Sequence, residues 1–224
     1  MDDFVQYGVA LSAAERAFRR APFPHRGAAL AHEVTIAGST ISTPRLRLRP
    51  WHHDDAAAAL DIYGSSEVSR WLAPAMDHVI DLEQMRAVIT KWIAAPSRPQ
   101  GRPSGRWVIE ETESGRVAGS GQILPLPPEG EDLELGYQLA PWAWGRGLAA
   151  EAGHALAHYA FSNGEEEIFA VLRPKNERGE RAARRIGMEW VGETDKYYDL
   201  RLQIFRLRKG DLDSSVLRPG PVER

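Results

Sequence analysis

The sequence predicts a mixed α/β domain in which antiparallel hairpins precede a single βαβ crossover. Three observations carry that prediction. Apolar and polar residues alternate along Arg45-Leu46-Arg47-Leu48-Arg49 and again from Leu133 to Leu139, the signature of strands with one buried face. Two more strands, Arg106–Glu111 and Arg116–Leu124, are joined through Ser114-Gly115 as a hairpin. Beyond Leu139 a glycine turn runs straight into a helix, followed by a strand and a second helix, the order of a parallel crossover.

Taken in chain order, residues 1–40 read as an N-terminal extension. Leu11, Ala14 and Phe18 fall at helical spacing there, and Pro22 and Pro24 end any helix. The domain proper is expected over residues 41–211. The arginines Arg45, Arg47 and Arg49 read as the solvated face of the first strand rather than an anion site. Asp54 or Asp55 caps a helix through Ala56–Tyr63, and Asp81–Ile93 forms another, with Leu82, Met85, Ile89 and Trp92 on one stripe. Residues 96–106 and 125–132 are rich in Pro and Gly and read as loops. The helix Leu148–Phe161 buries Leu148, Ala152, Leu156 and Tyr159. A strand (Ile168–Leu172), a helix (Glu177–Ile186) and strands at Glu189–Glu193 and Tyr198–Leu207 complete the domain. Trp107 and Trp190 are expected in the core. Residues 212–224 read as a flexible tail.

Composition removes several function classes. The 224 residues are 43% hydrophobic and 26% charged, enough for a normal core. With no cysteine, disulfide scaffolds, thiolate metal sites and thiol nucleophiles are excluded. A net charge of -3 argues against a dedicated duplex nucleic-acid binder. No apolar run is long enough to span a bilayer, and Met1-Asp2-Asp3 is acidic where a signal peptide is basic. The expectation is a soluble, cytoplasmic protein with no membrane partner.

The informative segment is Leu139–Glu151. A strand enters Gly145 and Gly147 and leaves as a helix, which offers free backbone N–H groups beside the positive end of the helix dipole. Such a turn suits a phosphate or diphosphate. Gly145-x-Gly147-x-x-Ala150 also satisfies the loose dinucleotide fingerprint. That motif belongs at the start of a doubly wound sheet with an acid ending the next strand. Here the turn lies two-thirds along the chain, and the next strand ends in Leu172-Arg173-Pro174. His154 and His158 are one helical turn apart, but with no third ligand in view they read as a solvated helix face. Gly119-Ser120-Gly121 lacks the spacing of a nucleophile elbow.

Several segments together resemble the GNAT N-acetyltransferase superfamily: LELGY (133–137), WGRGLAAEA (144–152), Arg173-Pro174-Lys175-Asn176 and Ile186-Gly187-Met188. PRLRLRPW (44–51) and GRVAGSGQI (115–123) resemble the branch that includes the ribosomal-protein N-terminal (alanine/serine) acetyltransferases. The resemblance runs over residues 41–209 and implies a strongly twisted mixed sheet with a splayed central strand pair. It further implies acetyl-CoA as acetyl donor, no metal, and direct attack by a primary amine in a ternary complex. The acceptor would be a peptide α-amine or a small-molecule amine, and a homodimer is one option for the assembly. By the same resemblance, Trp144, Gly145, Arg146, Gly147, Leu148 and Ala149 hold the diphosphate, with Trp144 standing where the superfamily has Gln or Arg. Backbone groups near Leu139 and Ala140 hold the pantetheine arm. Asn176 matches a pantetheine contact, and it is equally suited to cap the following helix. Glu134 matches the acidic residue used as general base, with substrate orientation or ion pairing as its other role. Trp71 and the 96–106 loop fall on the acceptor side. The usual thiolate-protonating positions are Gly179 and Ala183 here; Tyr197 and Tyr198 are the nearby donors, with Tyr198 the favoured candidate acid and solvent the alternative. A CoA-binding domain that regulates without turning over is the competing reading.

Overall fold

The computed structural model describes residues 33–72, 76–95, 102–128, 130–212 and 217–219. Their strands are β1 (Val34–Ala37), β2 (Thr40–Ser42), β3 (Leu46–Pro50), β4 (Gly105–Glu111), β5 (Val117–Pro125), β6 (Leu133–Leu139), β7 (Glu167–Leu172), β8 (Glu189–Thr194), β9 (Leu202–Arg208) and β10 (Leu217–Pro219). The helices are α1 (Ala56–Tyr63), α2 (Ser66–Ser69), α3 (Leu82–Ala94), α4 (Leu148–Ser162) and α5 (Glu177–Ile186). All ten strands join one sheet in the order β10-β1-β2-β3-β4-β5-β6-β7-β9-β8. The predicted mixed sheet with a crossover through α4 is therefore present.

Local chemistry accounts for the elements. Along β3, Leu46 and Leu48 are fully buried while Arg47, and Arg45 just before the strand, are exposed. Asp81 caps α3 by accepting from the Gln84 N–H at 2.8 Å. Gly187 ends α5 at φ 98°, a left-handed position that costs glycine little. One sheet face packs α1 and α3 around Trp51, Ile62, Met85, Ile89 and Val108. The other packs α4 around Leu135, Leu156, Ile168 and Phe205.

The feature that positions the site is a fork. β6 pairs antiparallel with β5 at seven successive positions, from Gly119–Leu139 to Pro125–Leu133. With β7 it pairs in parallel at one position only, Glu134–Phe169. Beyond that point the two strands diverge, as the resemblance implied.

Several sequence expectations need correction. The sheet starts at Val34, inside the stretch read as an extension, because β1 and β2 form a hairpin. The predicted helix around Leu11–Phe18 lies outside the described residues. Leu217–Pro219, read as flexible tail, runs parallel to β1 as an edge strand. The arginine face of β3 is ion-paired rather than simply solvated: Arg47 meets Glu110, and Arg49 meets Asp55 and Glu110, each at 2.8 Å. Burial would raise the Asp55 carboxyl, but bonds from Arg49 and the His52 N–H hold it below its ordinary value. Trp190 is 48% exposed on the edge strand β8, not in the core, whereas Trp107 is buried. His154 and His158 are fully buried and meet edge-to-face, with ring centroids 4.5 Å apart. The amphipathic reading failed there because α4 is buried almost all round, from Leu148 to Phe161. No helix among the described residues is long and apolar enough to cross a membrane.

Candidate active site

The fork opens into a cavity of about 440 Å³ between β6 and β7, bounded by the starts of α4 and α5. Its chemistry begins with the backbone. In an antiparallel pair, alternate residues turn their N–H and C=O groups toward the partner and away from it. The Ala140 N–H donates to Ala118 C=O at 2.9 Å, so Ala140, Gln138, Gly136 and Glu134 face β5. Leu139 and Tyr137 therefore turn their N–H groups to the gap, while Leu135, beside the Glu134–Phe169 pair, faces β7. Of the two positions proposed for the pantetheine arm, Leu139 keeps its N–H for it, while that of Ala140 is already used.

The glycine turn closes one end. Gly145 and Gly147 sit at φ 75° and 78°, a region that side chains strain, and Gly147 is the N-cap of α4. Trp144 braces the turn from within: its indole N–H donates to Leu139 C=O at 3.0 Å, and the Arg178 guanidinium lies 3.9 Å above its ring. Gly145, Gly147, Leu148 and Ala149 line the cavity. Arg146, expected to reach a phosphate, instead pairs with Glu111 at 2.6 Å. Asn176 also lines the cavity, and its side chain accepts from the Gly179 N–H at 3.1 Å, which is the capping role.

At the fork itself lies Glu134, 9% exposed. The Tyr198 hydroxyl donates to its Oε2 at 2.9 Å. Burial pushes the Glu134 carboxyl up to about 7, with the Tyr198 bond and the nearby Arg106 charge opposing the rise. Burial and the adjacent carboxylate push the Tyr198 phenol above its ordinary value, so it holds its proton. Tyr198 was expected to open the last strand. It lies instead in the turn before β9, at φ 57°, and the following Asp199 is at φ 52°. A bulky residue held left-handed costs roughly 1–2 kcal/mol, and here that turn brings the phenol onto Glu134. At the end of α1, the buried Tyr63 hydroxyl donates to Gln138 of β6 at 3.2 Å, and its phenol is pushed up to about 12 by burial. Trp71 lines the same cavity beside Glu67.

The sequence reading missed a row of cations. Arg178, Arg181 and Arg185 of α5 all line the cavity. Their i, i+3, i+7 spacing puts them on one helix face, the signal that was available. It also missed Gln122 and Gln138, whose place on the cavity wall follows only from strand register. Among the described residues no three His, Asp or Glu side chains cluster as metal ligands do.

Residues 45–189 match the family model described as the acetyltransferase (GNAT) domain. A curated relative, the uncharacterized N-acetyltransferase YoaA of Bacillus subtilis, is 27% identical over 158 residues, covering 70% of this chain and 86% of the relative. Among solved structures, RimJ of Mycobacterium smegmatis, in complex with CoA-disulfide, superimposes with a TM-score of 0.64 at 20% identity, covering 83% of this chain and 88% of its own. A ribosomal-protein-S5-alanine acetyltransferase from Vibrio fischeri gives 0.61 at 15% identity, with 78% and 98% covered. The family match takes in more than half of the chain, so this protein belongs to the GNAT N-acetyltransferases, a family whose acetyl donor is acetyl-CoA.

Proposed function

We propose that this protein acetylates a primary amine, with coenzyme A seated in the fork between β6 and β7 and Glu134 as general base. The observation that carries the reading is Glu134 itself: a buried carboxyl raised to about 7, at the point where the sheet opens, hydrogen-bonded to a phenol. A base of that strength is matched to neutral pH. It takes a proton from the acceptor ammonium, and the free amine attacks the thioester carbon.

The diphosphate lies against the N–H groups of Gly147, Leu148 and Ala149, with Arg178, Arg181 and Arg185 adding positive charge. The pantetheine arm bonds the open edge at Tyr137 and Leu139 as an added strand would. The Leu139 N–H is suited to polarise the thioester carbonyl. Two protons leave the acceptor nitrogen over the whole reaction; one ends on the coenzyme thiolate and one in solvent. Once Glu134 is protonated, the Tyr198 hydroxyl is free to turn and donate to the thiolate, and Glu134 reprotonates it. The two residues then act as one relay.

The acceptor enters from the side of Glu67 and Trp71. A thiol-release assay with acetyl-CoA across peptides and small amines tests the reading. The ribosomal-protein acetyltransferase among the similar structures puts peptide N-termini first in the panel. Thiol release with at least one amine, lost in Glu134→Gln, supports it. No release with any amine, despite tight coenzyme A binding, contradicts it.

A further inference from the structure

Glu151 is fully buried in the first turn of α4, directly behind the glycine turn. An acid suits that end of a helix dipole, but an unneutralised carboxylate there would repel a diphosphate approaching the same turn. Its partners come from a distant segment. Arg45 Nε and Nη2 both meet Glu151 Oε2, at 2.6 and 2.5 Å. The Arg45 N–H donates to Oε1 at 3.1 Å and the Thr43 hydroxyl to the same oxygen at 2.6 Å. The carboxylate is saturated.

One guanidinium nitrogen is left over. Arg45 Nη1 donates to Arg146 C=O at 3.0 Å, inside the glycine turn. A trans peptide is planar, with C=O and N–H pointing opposite ways. Fixing the Arg146 carbonyl toward Arg45 therefore aims the Gly147 N–H away from Arg45. Gly147 lines the cavity and Arg45 does not.

We propose that Arg45, anchored by Glu151 and Thr43, is a positioning residue for the coenzyme diphosphate: it cancels the Glu151 charge and orients the Gly147 N–H toward the cavity. The proposal rests on the acetyl-CoA reading above. Arginine is required because one planar fork must reach a carboxylate and a carbonyl at once, which a lysine ammonium does not span.

Arg45 is half exposed, but removing it strands the buried Glu151 carboxylate, so a denaturant melt first confirms that each variant is folded, and Arg45→Lys keeps a cation beside Glu151 should Arg45→Ala unfold. The test compares wild type, Arg45→Ala and Arg45→Lys with two donors: acetyl-CoA, and S-acetylpantetheine, which has no diphosphate. Coenzyme A affinity is measured alongside by calorimetry. Arg45→Ala is expected to raise KM for acetyl-CoA and Kd for coenzyme A tenfold or more, with kcat within threefold of wild type. Its kcat/KM for S-acetylpantetheine should stay within twofold. Arg45→Lys keeps the charge but not the carbonyl contact, and should raise KM about threefold. Equal loss with both donors would make Arg45 a structural residue and overturn the proposal; so would unchanged coenzyme A affinity in Arg45→Ala. If wild type binds coenzyme A but transfers no acetyl group, the catalytic reading falls while the Kd ratio still decides the role of Arg45. If wild type does not bind coenzyme A, both fall.

Discussion

The two edges of β6 are built from the same seven residues and do opposite things. Toward β5 every position is registered, and the Ala140 N–H continues the ladder one residue past the strand. Toward β7 the ladder stops after Glu134 and Phe169. The closed edge holds the sheet together; the open edge keeps donors and acceptors for a ligand. Side chains, which project above and below the sheet, cut across this division. Gly121 on β5 packs under Leu156 of α4, while Glu134 and Gln138, whose backbones face β5, line the cavity together with Tyr137. A sheet interrupted on one side of one strand thus becomes a binding site without losing its core.

Substitutions on the two edges should separate chemistry from stability. The largest effect is expected at the fork. Glu134→Gln should lower kcat by roughly 10²-fold, the scale of losing a general base. In wild type, kcat/KM should rise with pH through about 7 as Glu134 ionises, and this acidic limb should vanish in the variant. Persistence of the limb would mean another group is the base. On the closed edge, Gly121→Val should cost about 1–3 kcal/mol of stability through overpacking, since a Cβ there would lie 2.7 Å from Leu156 Cδ1. Coenzyme A affinity should stay within twofold, and denaturant melts with calorimetry check both. At the glycine turn the pattern reverses. Gly147→Val, forced into φ 78°, should weaken coenzyme A binding at least tenfold, about 1.4 kcal/mol.

Tyr198→Phe refines the relay. It should slow turnover about tenfold with coenzyme A affinity intact. It should also move the acidic limb above pH 7, because the lost hydrogen bond favoured the charged carboxylate. A wild-type kcat in this variant would leave solvent as the proton donor. The smallest effect concerns stability. The folded carboxyl of Glu134 is raised above its ordinary 4.5, so its favourable contribution is present in full below about pH 4.5 and lost as pH rises through about 7. In denaturant melts, the stability difference between wild type and Glu134→Gln should be steady below about pH 4.5, change between 4.5 and 7, and level off above 7.

What was legible in the sequence follows the range of the interactions. The glycine turn could be read because positive φ at Gly145 and Gly147 is a local demand, and the strand and helix flanking it have clean periods. Glu134 could be read only through family resemblance, since a lone acid on a strand is ordinary. Its raised affinity for a proton depends on burial that no local pattern reveals. Tyr198 reached the site by a left-handed turn, not by the strand assumed for it. Arg45, Arg47 and Arg49 looked solvated because Glu110 and Glu151, which pair with them, are 61–106 residues away in the chain; only Asp55, six residues after Arg49, is near. His154 and His158 were misplaced for a related reason: a stripe analysis assigns one buried face, and α4 is buried on nearly all of them.

The central claim is that the open edge of β6 and the glycine turn together receive coenzyme A. Residue-resolved amide exchange, measured by NMR with and without coenzyme A, tests it most directly. New protection is expected at Tyr137 and Leu139 and from Gly147 to Ala149. Gly136, Gln138 and Ala140, already bonded to β5, should change little. Protection confined to other elements, or none at Leu139 and Gly147 at saturating coenzyme A, would contradict it.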